Sequence, residues 1–341
     1  MRLIDRIIQC RTPFIVVNNR TGHPTHLSGA MDAADSLQRC PIRYVLDDAL
    51  TTLCTELAYS NGTTVMSCAD LIRVPAENIW VEWCDKPWHE ALDRNGLSVP
   101  ADDPRLRGRY GMYIRASSDG LRGLIRAYWS LGDADTDLHA SATQACFYLD
   151  AIEPQSPAVD AASMRVSAHM MDPEGVLSRC FHFEFEPTWR RYYQEVAPSP
   201  LAQQRILHHS IGCVALAVPV LLAFLLLLAT RAGLPQRVVP LQRLNKARAR
   251  SGRVPLADHI EVLAPILPEY RALQAEETSD VRRAPRLHHV RGHLVRRNNR
   301  LFWRVPHVRG KSNAGFLKSR TVVWRFDAAQ RRERSTRGST P

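Results

Sequence analysis

The chain has 341 residues, 45% of them hydrophobic and 23% charged, which is typical of a folded globular protein with room for two domains. Its net charge of +11 is unevenly spread: residues 231–341 hold 25 basic and 8 acidic residues, and the first 230 hold 20 basic and 26 acidic. The sequence has no Gly-rich phosphate loop, Walker pattern or Gly-x-Ser-x-Gly motif, which argues against an NTPase or an α/β-hydrolase.

The eight cysteines indicate a reduced protein. All lie at or before Cys213, and none forms a C-x-x-C or C-x-C pair. Scattered cysteines among apolar neighbours are typical of buried thiols in cytosolic proteins. The first residues, MRLIDRIIQCRTPF, lack a long apolar stretch, so we expect no secretory signal and a cytoplasmic location.

The first 186 residues predict a mixed α+β domain. Helical spacing is found at Asp47–Ala58, and a short helical turn at Ala69–Val74. Turns as short as Ser118-Asp119-Gly120 join the predicted strands that follow this helical turn, which favours antiparallel neighbours over βαβ crossovers. We therefore expect a mixed, mainly antiparallel sheet with flanking helices. The predicted strands are Thr12–Val17, Asn78–Trp83, Arg109–Ile114, Leu121–Ser130, Cys146–Ile152, Met164–Met170 and Phe181–Phe185.

Residues 187–275 predict a helical region. An aromatic stripe indicates a helix from Pro187 toward Leu207, and residues 241–253 predict a basic helix. Between them lies Ile211–Thr230, twenty residues without a charge, which is long and apolar enough to be a single membrane span. Pro219 interrupts the run, so we favour a buried helix at Val220–Thr230. The span stays open as an alternative, with the basic C-terminal third in the cytoplasm on anionic lipid.

Residues 281–326 predict a small basic β-rich module, and residues 327–341 a disordered tail. The segment from Val281 to Arg325 holds thirteen Lys and Arg residues and no Asp or Glu. It contains His-Val-Arg-Gly twice, at His289–Gly292 and His307–Gly310. Between the two copies, Asn298-Asn299 predicts a two-residue turn that joins the strands of a β-hairpin.

Six short motifs are distributed along the chain: NIWVEW, RYGMYI, LNKARARSGRVPLADHIEV, HHVRGHLVRR, LFWRVPHVRG and SRTVVWRF. Together they resemble a family of uncharacterised proteins carried by bacteriophages and prophages of proteobacteria. The resemblance covers about half of the chain. It implies a phage origin, and therefore a bacterial host, but no activity.

Basic residues interleaved with aromatic residues favour single-stranded nucleic acid, because guanidinium groups pair with phosphates and bases stack on rings. We expect Trp303 to be the stacking residue. A solvated basic face with its aromatic residues in the core is the alternative interpretation. The predicted phosphate contacts are Arg291, Arg296, Arg297, Arg304, Arg309, Lys311, Lys318 and Arg320.

The histidines of this module raise a second hypothesis, a nuclease that depends on a divalent metal such as zinc or manganese. Its ligands would be His289, His293 and His307, and Asp258, His259 and Glu261 could complete the site. His289 and His293 are about 13 Å apart along one strand, so they would need His307 from a neighbouring strand. We favour a non-enzymatic accessory protein that binds DNA or RNA and that offers its N-terminal domain to a protein partner.

Overall fold

The computed structural model describes residues 1–10, 14–17, 24–27, 29–60, 65, 68–94, 108–132, 137–150, 166–167, 180–196, 199–230, 233–265, 286–290, 293–297, 300–304, 307–309 and 311–317. The helices are α1 Leu3–Gln9, α2 Gly29–Gln38, α3 Asp48–Ser60, α4 Asp85–Arg94, α5 Pro187–Val196, α6 Pro200–Ser210, α7 Gly212–Ala215, α8 Val218–Leu228 and α9 Gln242–Arg250, with one 3-10 turn at Ala69–Leu71.

The strands fall into one large sheet and three small ones. The strands of the large sheet are β3 Ile42–Leu46, β4 Asn78–Cys84, β5 Arg109–Ala116, β6 Arg122–Ser130, β7 Leu138–Tyr148, β8 Val166–Ser167, β9 Phe181–Phe185, β10 Gln236–Val239 and β11 His259–Val262. The strands of the small sheets are β1 Phe14–Val17, β2 Pro24–Leu27, β12 Arg286–Val290, β13 His293–Arg297, β14 Arg300–Arg304, β15 His307–Arg309 and β16 Lys311–Leu317.

The large sheet is mainly antiparallel, as predicted. Among the described strands its order is β10-β11-β3-β4-β5-β6-β7-β9-β8. Of the described strands in this sheet, only β11, β3 and β4 run parallel, and α3 crosses between β3 and β4. Asp47 begins that crossover, because its carboxylate accepts the Leu50 backbone N–H at 2.6 Å and caps α3. The α+β class predicted from the sequence is therefore confirmed.

One face of this sheet carries the main core. Helices α3, α4 and α8 cover it with side chains such as Leu57, Trp88 and Leu225, which belong to one buried cluster with Val81 and Met112 of the strands. Helices α1 and α2 cover part of the opposite face. Because both faces are covered there, the middle five residues of β4 are all buried, and the strand shows none of the polar alternation of a one-sided sheet.

A tight turn between β5 and β6 depends on one glycine. Gly120 has a φ of +70°, and a Cβ atom there would lie 2.4 Å from the Val74 carbonyl oxygen. Its own N–H bonds to the Ser117 carbonyl, and its carbonyl accepts from the Val74 N–H. Only glycine combines this backbone angle with this close approach, so the sequence prediction of a turn at Ser118-Asp119-Gly120 is confirmed.

The carboxylate of Glu82 attaches α1 to the sheet. Glu82 is completely buried on β4 and accepts the backbone N–H groups of Leu3 and Ile4 at 3.3 and 3.0 Å. It also accepts the Trp80 indole N–H at 2.9 Å and the Arg109 guanidinium at 2.8 Å. These four donors, one of which is a cation, compensate for the loss of water, and the negative charge lies at the positive end of α1.

The long apolar run at 211–230 is not one helix. A turn at Leu216–Ala217 separates α7 from α8, and the Leu216 carbonyl accepts a hydrogen bond from the Tyr59 hydroxyl at 2.5 Å. Residues Val218–Leu227 of α8 are all buried, in contact with α3. The predicted buried helix is therefore confirmed, with its ends two residues earlier. Among the described helices, none combines the length and apolarity needed to cross a membrane.

Other predictions need correction. The strand predicted at Cys146–Ile152 begins at Leu138 and ends at Tyr148, because the small residues before Cys146 pair with β6. The helix predicted toward Leu207 is two helices, and Ser199 caps the second. The predicted helical region 187–275 also supplies β10 and β11 to the large sheet. The domain boundaries themselves remain predictions.

Removing the Glu82 carboxylate is expected to destabilise the fold strongly. In Glu82→Ala, the half-buried Arg109 guanidinium and the N–H groups of α1 lose their acceptor, so we expect the free energy of unfolding to fall by about 3–5 kcal/mol. Urea unfolding followed by circular dichroism measures this. The matched control is Glu56→Ala, which removes an exposed ion pair with Arg94 and should change stability by less than about 1 kcal/mol. Equal losses for the two variants would contradict this assignment.

Candidate nucleic-acid interface

Strands β13 and β14 form the predicted basic hairpin. They pair antiparallel from His293 opposite Arg304 to Arg297 opposite Arg300, so two residues connect them. Residues directly opposite in such a pair share a face, and successive residues alternate faces. The hairpin prediction is confirmed, and its turn, Asn298-Asn299, lies outside the described residues.

One face of the hairpin is attached to the main body. Leu301 is buried and belongs to the main core cluster, and the Trp303 ring packs against the same cluster. Arg296, opposite Leu301 in the register, donates two hydrogen bonds to the Asp70 carboxylate, at 2.9 and 3.2 Å. The aromatic residue predicted to stack on bases thus packs against the core, and one predicted phosphate contact already has a protein acceptor.

The outward face of the hairpin carries three exposed arginines, Arg297, Arg300 and Arg304. Arg297 and Arg300 are directly opposite each other. Within the described part of the chain, no hydrogen bond or ion pair is found for these three guanidinium groups. Like charges directly opposite in an antiparallel pair destabilise it, so this face has unbalanced positive charge. Half-buried Phe302 lies on the same face, opposite Val295.

Of the remaining predicted phosphate contacts, the structure gives a strand position for two and does not describe the other three. Arg309 ends β15 and Lys311 begins β16, both strands that pair with β12. Arg291, Lys318 and Arg320 lie outside the described residues. The sequence prediction omitted Arg300, although its position just after the predicted turn makes it the cross-strand partner of Arg297.

The three predicted metal ligands do not meet in the strand register. Val290, not His289, is opposite His307 in the β12–β15 pair, and neighbouring residues of a strand alternate faces. His293 belongs to a different sheet, where it is opposite Arg304. The metal site at these three histidines stays a prediction that the register does not support.

The acidic groups proposed to complete that site have structural partners. The Asp258 carboxylate accepts the Leu241 backbone N–H at 3.1 Å, and Glu261 forms an exposed ion pair with Arg237. His259 is buried beside Arg2, with Glu261 3.8 Å away. Burial and the nearby Arg2 charge lower the pKa of the His259 imidazole. These contacts hold β11 and the N-terminus in place.

Helix α9 adds a second basic surface that the site prediction did not include. Arg243, Lys246 and Arg250 are exposed and follow a three- and four-residue spacing, which places them along one side of the helix. Asn245 attaches the helix to the following loop through two hydrogen bonds of 2.8 Å with the backbone of Leu256. The helical spacing of the basic residues is the signal that could have identified this surface.

A cluster of three polar side chains and a single buried carboxyl also lie in the body of the protein. Cys146, His182 and Glu184 place their ligand-type atoms within 4.8 Å of one another on β7 and β9. Asp85, just after β4, is buried, and its Oδ1 has no hydrogen-bond partner in the described structure. Burial raises the pKa of the Asp85 carboxyl to about 7, although the Arg109 charge acts in the opposite direction.

Comparison of the chain with protein-family models, curated proteins and solved structures finds no match. The resemblance to phage and prophage proteins therefore remains an expectation from the sequence.

The raised pKa of Asp85 predicts a pH-dependent stability. The unfolded chain releases this proton near pH 4 and the folded chain near pH 7, so stability is lost as pH rises between them. We expect Asp85→Asn, which cannot ionise, to raise the free energy of unfolding at pH 8 by about 1–3 kcal/mol and to change it little at pH 5.

Urea unfolding at the two pH values measures this difference. The matched control is Asp35→Asn, since the Asp35 side chain is exposed and its replacement should have a small effect at both values. If Asp85→Asn lowers the free energy of unfolding by the same amount at pH 5 and at pH 8, the carboxyl is not held in its neutral form.

Proposed function

We propose that this protein is a non-enzymatic accessory protein that binds single-stranded nucleic acid through the outward face of the β13–β14 hairpin. The observation that carries the proposal is the exposed pair of directly opposed arginines, Arg297 and Arg300, with no anionic partner among the described residues. A phosphate between the two guanidinium groups would turn their mutual repulsion into two charge-assisted contacts. Arg304 on the same face extends the positive surface.

Phe302 supports a single-stranded ligand over a duplex. Its half-buried ring lies between Arg304 and Arg300 in the sequence and on their face of the hairpin. A splayed base can stack on such a ring while its phosphates contact the arginines, and this combination tolerates many sequences. We therefore assign the stacking role to Phe302 instead of Trp303.

The attachment of the hairpin supports a defined binding surface. Leu301 and Trp303 pack on the main core and Arg296 pairs with Asp70, so the opposite face is held in one orientation. A surface that is already ordered loses less conformational entropy when a ligand binds. The net charge of +17 over residues 231–341 would also speed the approach of a polyanion.

The proposal includes a location in the cytoplasm of a bacterial host and a phage origin, both of which rest on the sequence. The exposed basic side of α9 would give a second, weaker phosphate contact. A protein partner for the N-terminal region also remains a proposal.

Replacing the three outward arginines tests the proposed contact. For the full-length variant Arg297→Ala/Arg300→Ala/Arg304→Ala, we expect the Kd for a fluorescent 20-nucleotide single strand to rise about 10- to 100-fold at 100 mM salt. The slope of log K against log salt should become shallower by about 2, because about three phosphate contacts are lost. Fluorescence anisotropy over a salt series, with DNA and RNA of the same sequence, measures both quantities.

The matched control removes the same charge from the body of the protein. Arg39 just after α2, Arg115 on β5 and Arg191 on α5 are exposed, and their triple alanine variant should keep more than about half of the affinity. Equal weakening in the two triple variants would mean that net charge, and not the hairpin, determines binding. No binding by the native protein at 25 mM salt would end the proposal.

The role of Phe302 has its own test. Phe302→Leu keeps an apolar side chain opposite Val295 but removes the ring, so we expect a 5- to 20-fold rise in Kd with an unchanged salt slope. The control is Trp303→Leu, which should reduce the stability of the fold more than it reduces affinity. A larger rise in Kd for Trp303→Leu than for Phe302→Leu would return the stacking role to Trp303.

A further inference from the structure

Three groups that commonly bind metals meet where β7 pairs with β9. Cys146 is directly opposite His182, and Glu184 lies two residues further along β9 on the same face, opposite Gln144. The Sγ of Cys146, a ring nitrogen of His182 and a carboxylate oxygen of Glu184 lie within 4.8 Å of one another. All three side chains are half-buried, so they are sheltered but within reach of solvent.

The surroundings hold the Glu184 carboxylate in a defined orientation. Gln144 Nε2 donates to Oε1 at 2.8 Å, Arg190 donates to Oε2 at 2.8 Å, and the Cys146 thiol lies 3.5 Å from Oε1. Burial raises the pKa of the Glu184 carboxyl, but the hydrogen bonds from Gln144 and Cys146 and the nearby charges of Arg190 and His182 outweigh it, so the pKa lies below its ordinary value.

His182 is oriented in a similar way. Its ring stacks on Tyr148, with centroids 5.4 Å apart and planes inclined by 23°. Neighbours that fix the ring and the carboxylate are the kind of outer support that metal ligands require. A set of donors held at separate positions on two paired strands can close around an ion by side-chain rotation alone.

We propose that Cys146, His182 and Glu184 bind a zinc ion. A thiolate, an imidazole and a carboxylate form a donor set that suits zinc, whereas magnesium, calcium and manganese favour oxygen donors. Bond lengths of about 2.0–2.3 Å place tetrahedral ligand atoms about 3.3–3.8 Å apart, so the cluster has to contract by about 1 Å.

The charges of the site also fit a divalent ion. A thiolate and a carboxylate neutralise the two charges of zinc, and Arg190 stays paired with the second carboxylate oxygen. With three protein ligands, the fourth tetrahedral position is available to water or a small ligand. This site is separate from the three histidines of the C-terminal module, and it does not depend on the nucleic-acid proposal.

Zinc binding to the full-length protein, purified without a polyhistidine tag and stripped with chelator, tests the site. We expect one zinc per chain by elemental analysis after dialysis, and a thiolate-to-metal absorption band when cobalt replaces zinc. Cys146→Ser, His182→Gln and Glu184→Gln should each lower zinc affinity at least about 100-fold. Fewer than about 0.1 zinc per chain, or full binding in all three variants, would overturn the proposal.

A matched control is Cys84→Ser. Of the cysteines whose burial the structure describes, Cys84 and Cys146 are the two that are half-buried, and Cys84 has the Arg109 guanidinium 3.3 Å from its sulfur. Zinc affinity should be unchanged in this variant. In the native protein, zinc should slow alkylation of Cys146 at least tenfold and leave Cys84 unaffected, which avoids any folding defect of a variant. Equal rates at Cys146 with and without zinc would contradict the site.

Arg190→Gln separates a metal site from a purely structural cluster. Glutamine can still donate to the Glu184 carboxylate, but the positive charge beside the ion is removed. We therefore expect zinc affinity to rise about tenfold. An unchanged or lower affinity would contradict the use of the Glu184 carboxylate as a ligand.

Discussion

Helices cover both faces of the large sheet around β4, so a polar group buried there, such as Glu82, needs partners inside the protein. The Glu82 carboxylate meets this requirement with two backbone N–H groups of α1, the Trp80 indole and the Arg109 guanidinium. The first helix of the chain is thereby fixed to the centre of the sheet. Removing the carboxylate would leave both the half-buried Arg109 cation and the first N–H groups of α1 without their acceptor.

Two other charged regions differ in how their polar groups are partnered. Glu184 is held by Gln144 and Arg190 and also lies beside a thiol and an imidazole. On the hairpin, Arg296 is paired with Asp70. Arg297, directly opposite Arg300, has no described partner. Unbalanced charge on an ordered, exposed face is the feature that favours an external anion.

Much of the fold could be predicted because its signals are local. The apolar alternation of β13 and β14, the turn at Gly120 and the capping role of Asp47 depend on residues close in sequence. Helix α4 was missed because Pro87 suggests a break, although proline is tolerated in the first turn of a helix. The first part of β7 was missed because its alanine, serine and threonine residues carry little strand signal before they pair with β6.

The sites were less predictable because they depend on contacts between distant residues. Residues two apart on a strand share a face, so the sequence of β14 is enough to place Leu301 and Trp303 on the same side. Which face packs on the core depends on the main body, and this decides that Phe302 is the outward aromatic. Likewise, Cys146 and His182 are brought together only by the register of β7 with β9. A sequence pattern gives no direct indication of such a register.

Hydrogen–deuterium exchange of the full-length protein, with and without a single-stranded oligonucleotide, tests most directly whether the hairpin is the binding surface. We expect slower exchange on binding in peptides that cover residues 293–304, with smaller changes at α9 and none at β4 or β9. Protection concentrated on the body of the large sheet, with the hairpin unchanged, would contradict this expectation.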